Sequence, residues 1–178
     1  VPRLRTRWRF VILRHASEIP RLTNSGRWAA LALEGSVLHD HARAATPSEP
    51  AVAALLAGAP AALLYPGPDP ELPPLPVRTI VVPDATWSQA RRMVQRLPAL
   101  QTLPRLSLPA PAQVARLRRS RLDAGMSTLE AIAAALERLG DPASAASLRR
   151  LHATAVERTL RLKGLWPPDR DHHLARAT

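Results

Sequence analysis

The chain has 178 residues, 46% of them hydrophobic, which suits one domain with a substantial core. Its 25 Lys and Arg against 14 acidic residues give a formal charge of +11, a field that draws phosphate-bearing partners, RNA first, although an Arg-, Ala- and Pro-rich composition can raise charge with no nucleic acid involved. Cysteine is absent, so disulfides, thiolate catalysis and Cys-based zinc or iron sites are excluded; no apolar stretch of about 18 residues offers a bilayer span, and Val1-Pro2-Arg3-Leu4-Arg5 lacks the apolar centre of a secretory leader. The expectation is a cytoplasmic protein without membrane contact. Nothing in the chain implies a protein partner, and its oligomeric state stays open. The missing initiator Met points to processing or to a fragment.

Phe10-Val11-Ile12-Leu13 is the first short, turn-bounded apolar run, of the kind needed by a strand buried on both faces of a parallel sheet. Thr46-Pro47-Ser48-Glu49 is a capping box with Pro at the first helical position and predicts a helix through Ala51 to Ala57. Ala62-Leu63-Leu64-Tyr65 and Ile80-Val81-Val82 are further strands, and the prolines from Pro66 to Pro76 predict a stiff loop between them. From Ala85 to Arg96 a helix is expected, with Ala90, Met93, Val94 and then Leu97 on one face and Arg91, Arg92 and Arg96 off it.

Pro104 to Pro111 reads as irregular around Leu106-Ser107-Leu108. Ser127-Thr128-Leu129-Glu130 is a second capping box, opening a helix with Leu129, Ile132, Leu136 and Leu139 at helical spacing and stopped by Gly140. Asp141-Pro142 then starts a longer helix with Leu148, Leu151, Ala155 and Leu162 among its apolar positions and Arg149, Arg150, Arg158, Arg161 and Lys163 available to solvent. One domain over residues 1–164 and an extended or frayed tail over 165–178 follow. Strands alternating with helices make the fold class α/β, and no internal repeat is present.

The run from Val81 to Arg92 concentrates chemistry, because it sets Asp84 and Trp87 where an apolar strand turns into a helix, the place at which open α/β sheets bind ligands. Ordinary roles exist for each residue. Asp84 can be the helix N-cap, Trp87 can be core, Ser127 and Glu130 can be a capping box alone, and His15 with Glu18 can form a hydrogen-bonded turn. No metal is expected: His15 and Glu18 are two ligands only, His39-x-His41 lacks others, and His172-His173 with Asp169 and Asp171 stands in the terminal segment.

Four segments stand in a particular order: Leu13-Arg14-His15-Ala16-Ser17-Glu18 with Thr23-Asn24-Ser25-Gly26, then Leu64-Tyr65-Pro66-Gly67, then Asp84-Ala85-Thr86-Trp87, and last Ser127-Thr128-Leu129-Glu130-Ala131. Together they resemble the DTW-domain family, named for its Asp-x-Thr-Trp signature. The resemblance implies a SPOUT-like, mostly parallel sheet flanked by helices, with a C-terminal trefoil knot whose loops hold S-adenosyl-L-methionine as cosubstrate. It also implies an enzyme that moves the 3-amino-3-carboxypropyl group of that molecule to N3 of a uridine in tRNA, in the variable loop or D-arm, giving 3-(3-amino-3-carboxypropyl)uridine. Many members carry an N-terminal Cys cluster that this chain lacks. Alternatives are the same transfer on ribosomal RNA, an ordinary methyl transfer, and a non-catalytic basic RNA-binding protein.

On this resemblance Asp84, Thr86 and Trp87 are the catalytic candidates. Tyr65, Pro66, Gly67, Leu103, Leu106, Ser127 and Thr128 are the cofactor-binding candidates, with Gly67 allowing close backbone approach. Arg14, His15, Asn24, Arg91 and Arg92 are the RNA contacts. Uridine N3 is a poor nucleophile until its proton leaves, so Asp84 is either the general base or a ligand for the amino group of the transferred moiety. An unperturbed Asp, with a pKa of about 3.9, is too weak a base unless burial raises it.

Overall fold

A computed structural model of the chain describes residues 1–41, 48–67, 76–109 and 126–165. The three apolar runs become the inner strands of a five-stranded sheet: β1 (Arg9–His15), β3 (Ala61–Leu64) and β4 (Thr79–Asp84), joined by β2 (Val37–His41) and the two-residue β5 (Arg105–Leu106). Their order is β2-β1-β4-β3-β5, and every pairing is parallel. A 3-10 turn at Ala16–Glu18 and six α-helices complete the described chain: α1 (Ser25–Ala32), α2 (Ser48–Leu56), α3 (Trp87–Arg96), α4 (Pro98–Gln101), α5 (Thr128–Arg138) and α6 (Pro142–Leu162).

The inner strands are unbroken apolar runs because both faces of the sheet are covered. Phe10, Ile12, Ala62, Leu64, Ile80 and Val82 point to one side, where they pack with Leu129, Ile132 and Leu136 of α5 and with Ala145 and Leu148 of α6. Val11, Leu13, Leu63 and Val81 point to the other, against Val52 of α2, Met93 and Val94 of α3, and Leu100 of α4. Full burial of each such Leu, Ile or Val is worth about 1.5–3 kcal/mol.

Helix boundaries follow local capping chemistry. Ser127 accepts a hydrogen bond from Glu130 N while the Glu130 carboxylate accepts from Ser127 N at 2.8 Å, the expected capping box of α5. Asp141 caps α6 through Ser144 N at 3.0 Å, and Gly140 takes φ +89° between the two helices, the left-handed conformation glycine adopts without strain.

Several details differ from the sequence expectation. Helix α1, capped by Asn24, and strand β2 were not anticipated, and a short strand stands at 105–106 where irregular chain was expected. Helix α3 begins at Trp87, with Thr86 as its N-cap, so Asp84 is not the cap and belongs to the end of β4. Leu162 is 90% exposed and packs in no core. Thr46 and Pro47, most of the Pro-rich loop, the stretch 110–125 on which a knot depends, and the tail from residue 166 lie outside the described residues. Among the described residues no helix is long and apolar enough to cross a membrane.

Candidate functional site

Sheet order reverses direction between β1 and β4: β2 lies outside β1, whereas β3 and β5 lie beyond β4. Carboxyl ends of parallel strands at such a reversal form a crevice, and the polar residues of this chain gather there. Asp84 ends β4 opposite Arg14 of β1, which in turn is in register with Asp40 of β2.

Asp84 is 4% exposed and held by two neutral donors, Asn24 Nδ2 to Oδ2 at 2.7 Å and Thr128 Oγ1 to Oδ1 at 2.5 Å. Burial pushes its pKa upward; the bonds from Thr128 and Asn24 pull it back, Glu18 adds to the rise, and Arg14 opposes it. Close approach of the carboxylate explains Gly26. A Cβ at that position would lie 2.6 Å from Asp84 Cγ, inside van der Waals contact, so only glycine leaves room. Asn24 completes its hydrogen bonding by accepting from Arg27 N at 2.8 Å as the cap of α1.

Next to this group, at the carboxyl ends of β3, β4 and β5, opens a cavity of about 380 Å³. Leu64, Val82, Leu106 and Ala131 give it apolar walls, Tyr65 and Pro66 form one rim, and Thr128 supplies a hydroxyl. Thr128 therefore both lines the cavity and holds Asp84. That volume is within the range of small-molecule sites, about 300–1,000 Å³, which are typically apolar with a few placed polar groups.

Trp87 also lines the cavity but is 41% exposed, so it is not core. Its ring meets Tyr65 edge to face, with centroids 6.3 Å apart, and the Arg105 guanidinium sits 5.1 Å over the Tyr65 ring while donating to Pro66 O at 2.8 Å. Exposed Arg91 and Arg92 continue along α3 from Trp87.

On the opposite face of the sheet, His15 ends β1 and is tied to Ser17, which Gln89 of α3 reaches at 3.1 Å. His41, in register with His15, has its pKa lowered by burial first, then by His15 and His39. Behind α5, His152 lies buried between Ser127 Oγ at 3.3 Å and Glu130 at 3.8 Å, its pKa lowered by burial against the upward pull of Glu130.

The structure thus gathers Tyr65, Pro66, Leu106, Thr128 and Trp87 around one cavity, with Asp84 behind Thr128. Thr86 is exposed and bonds to Gln89. Gly67 lies beside this rim, where a Cβ would come 2.9 Å from Ser107 Oγ, and Ser127 is turned to its capping box and His152. Leu103 packs with the core on the α3 and α4 side of the sheet. Arg14 and Asn24, 6% and 1% exposed, are buried and bond to Asp40 and Asp84.

Sequence reading missed Ser17, Gln89 and Arg105. A signal for Gln89 was present, because Thr86-Trp87-Ser88-Gln89 has the spacing of a capping box; Ser17 and Arg105 carry none. Among the described residues no group of three or more His, Asp or Glu is placed to hold a metal ion.

A parallel α/β sheet with a ligand-sized cavity at its carboxyl ends, flanked by a buried carboxylate, defines the class of protein. The chain belongs to the DTW-domain family, whose model, described as DTW domain, matches residues 1–160. Membership places it with a family of tRNA-modifying enzymes. Neither curated proteins nor solved structures gave a match.

Proposed function

We propose that the chain transfers the 3-amino-3-carboxypropyl group of S-adenosyl-L-methionine to N3 of a uridine in tRNA, and that its sheet belongs to the SPOUT-like class, with a knot formed by the chain after β5. The observation that carries this reading is the junction at Thr128, which joins the cavity to the one carboxylate buried at the carboxyl end of β4. The walls of Leu64, Leu106 and Ala131 suit an adenine ring, and the Thr128 hydroxyl suits a polar tail. When bound, the donor supplies a sulfonium that makes its attached carbons open to displacement.

Asp84 then acts on the acceptor. Each of its oxygens already accepts one hydrogen bond and keeps a further lone pair, and its raised pKa makes it a better base than an ordinary Asp. It takes the N3 proton; the N3–carbon bond forms as the carbon–sulfur bond breaks, and the electron pair leaves with neutral methylthioadenosine. Asn24 and Thr128 fix the direction of the carboxylate and hence the position of N3, and the way the cavity holds the donor decides whether the carboxypropyl carbon or the methyl stands in line with it. Arg91 and Arg92, beside exposed Trp87, supply phosphate contacts.

Incubation with bulk tRNA and S-adenosyl-L-methionine, followed by nucleoside mass spectrometry, tests the proposal. Aminocarboxypropyl-uridine from tRNA is the expected product. A methylated base instead makes the chain a methyltransferase, and product on ribosomal RNA alone moves the substrate. No product, with no calorimetric binding of the donor, leaves an RNA-binding protein.

A further inference from the structure

The end of β1 and the start of α3 are joined by hydrogen bonds whose donor and acceptor roles can be deduced one from the next. Thr86 N–H can only donate, and its partner at 3.1 Å is the Gln89 side chain, so the atom there is the carbonyl Oε1. Thr86 Oγ1 donates to the same oxygen at 2.8 Å. Gln89 Nε2 is thereby turned to Ser17 Oγ, to which it donates at 3.1 Å. The Ser17 hydroxyl, already accepting, has its own proton to give, and His15 Nδ1 is 2.9 Å away. Ser17 N–H, again a donor only, reaches the same Nδ1 at 3.2 Å.

Two donors converge on Nδ1, so that nitrogen carries the lone pair and the proton of the neutral ring sits on Nε2. Among the described residues no hydrogen bond engages Nε2, and the ring is half-buried, so its N–H is open to an incoming acceptor. His15 follows Arg14, the register partner of Asp84, so its side chain leaves β1 on the face opposite to that of Asp84, and the two residues, with Cα atoms about 6 Å apart, flank the carboxyl edge of the sheet from its two sides.

We infer that His15, locked as its Nε2–H form by Gln89 acting through Ser17, donates a hydrogen bond to a carbonyl oxygen beside the reacting nitrogen of the target nucleobase. This rests on the proposed function. Loss of the N3 proton spreads negative charge onto the neighbouring carbonyl oxygens of a pyrimidine, and a donor that cannot turn into an acceptor stabilises that charge as it grows. His15 is then a substrate-contacting residue, and Ser17 and Gln89 are positioning residues. The substrate class is a base with a carbonyl next to its nucleophilic nitrogen.

Two measurements on the full chain test this. Nitrogen-15 NMR of histidine-labelled protein in mildly alkaline buffer, with His15 assigned by His15→Gln, reads the tautomer without any substrate. A pyridine-like Nδ1 and a pyrrole-like Nε2 are expected in the unaltered chain, shifted only part of the way toward the mixed values of a free imidazole in Gln89→Leu and Ser17→Ala variants whose thermal melts show them folded, because the Ser17 backbone N–H still donates to Nδ1. A proton on Nδ1, or a tautomer unchanged in Gln89→Leu, overturns the relay. In the transfer assay, His15→Leu should lower kcat by about ten- to a hundredfold with KM little changed, whereas His15→Gln, which keeps an N–H near the position of Nε2 but can also turn its carbonyl there, should lose clearly less. Equal losses in both overturn the base contact. Absence of transfer by the unaltered chain removes the proposed function and the base contact together, and leaves the tautomer result standing.

Discussion

Replacing Asp84 by Asn and by Ala separates its chemistry from its structural role. In Asp84→Ala both donors, Asn24 Nδ2 and Thr128 Oγ1, lose their acceptor in a site where Asp84 is only 4% exposed. Stranding one buried donor costs about 1–3 kcal/mol, and relief from burying a carboxylate offsets part of two such losses, so about 2–3 kcal/mol is expected. In a chain of this size that lowers Tm by about 4–12 °C. Asp84→Asn behaves differently. Its carbonyl can still accept from Asn24, while its amide donates to Thr128, whose hydroxyl rotates from donor to acceptor; the expected change is within about 1 kcal/mol.

Ionisation adds a pH signature. A carboxyl whose pKa is raised by folding holds its proton more tightly in the native state, so Asp84 favours folding most at acid pH, and that contribution falls as pH rises from the ordinary carboxylate range through the raised value. Asn does not titrate, and the stability of Asp84→Asn relative to the unaltered chain should climb across the same interval and then level. Thermal unfolding over a pH series, paired with nucleoside mass spectrometry, checks both halves; transfer should vanish in each variant. An Asp84→Asn protein as unstable as Asp84→Ala, or one with near-normal turnover, would refute the reasoning.

Gly26→Ala drives a methyl into the Asp84 carboxylate and should cost about 1–3 kcal/mol despite the better helix propensity of Ala, with loss of transfer, readable by denaturant titration beside the assay. Trp87→Ala should leave stability within about 0.5 kcal/mol, since the ring is 41% exposed, yet weaken substrate binding by about five- to 150-fold if the ring stacks on a base; an unchanged KM removes it from the interface. Joint replacement of Arg91 and Arg92 by Ala should reduce the slope of log affinity for tRNA against log salt by about 2, measured by filter binding or anisotropy, and an unaltered slope places the phosphates elsewhere.

What could be read from the sequence was what local chemistry dictates. Val11, Ile12, Val81 and Val82 announced inner strands because a sheet covered on both faces tolerates no polar alternation, and Ser127 and Asp141 announced helix starts because their side chains cap within three residues. Strand β2 escaped because an edge strand reading Val37-Leu38-His39-Asp40-His41, half-buried throughout, has no apolar run to betray it. Helix α1 escaped because its small residues, Ser25, Gly26, Ala29 and Ala32, blur the helical period, although Asn24 was a fair cap signal.

The candidate site followed the same division. Asp84 and Thr128 could be named from their motifs, but whether Asp84 caps α3 was settled by Thr86 taking that position, a matter of two residues that propensity does not resolve. Leu103 and Leu106, three residues apart, went to different sides of the sheet, which periodicity in so short a Pro-bounded stretch does not fix. The Ser17 to Gln89 bond spans 72 positions, and only the completed sheet brings them together.

The supports of the buried carboxylate come from 60 positions before it and 44 after it. A nascent chain therefore emerges with its acid unrestrained, and the anchoring hydroxyl of Thr128 is delivered only after the 44 positions that follow Asp84 have been synthesised. Assembly of the centre is in this way timed to the arrival of α5, and a prematurely terminated product that stops before it carries the signature residues without the means to aim them.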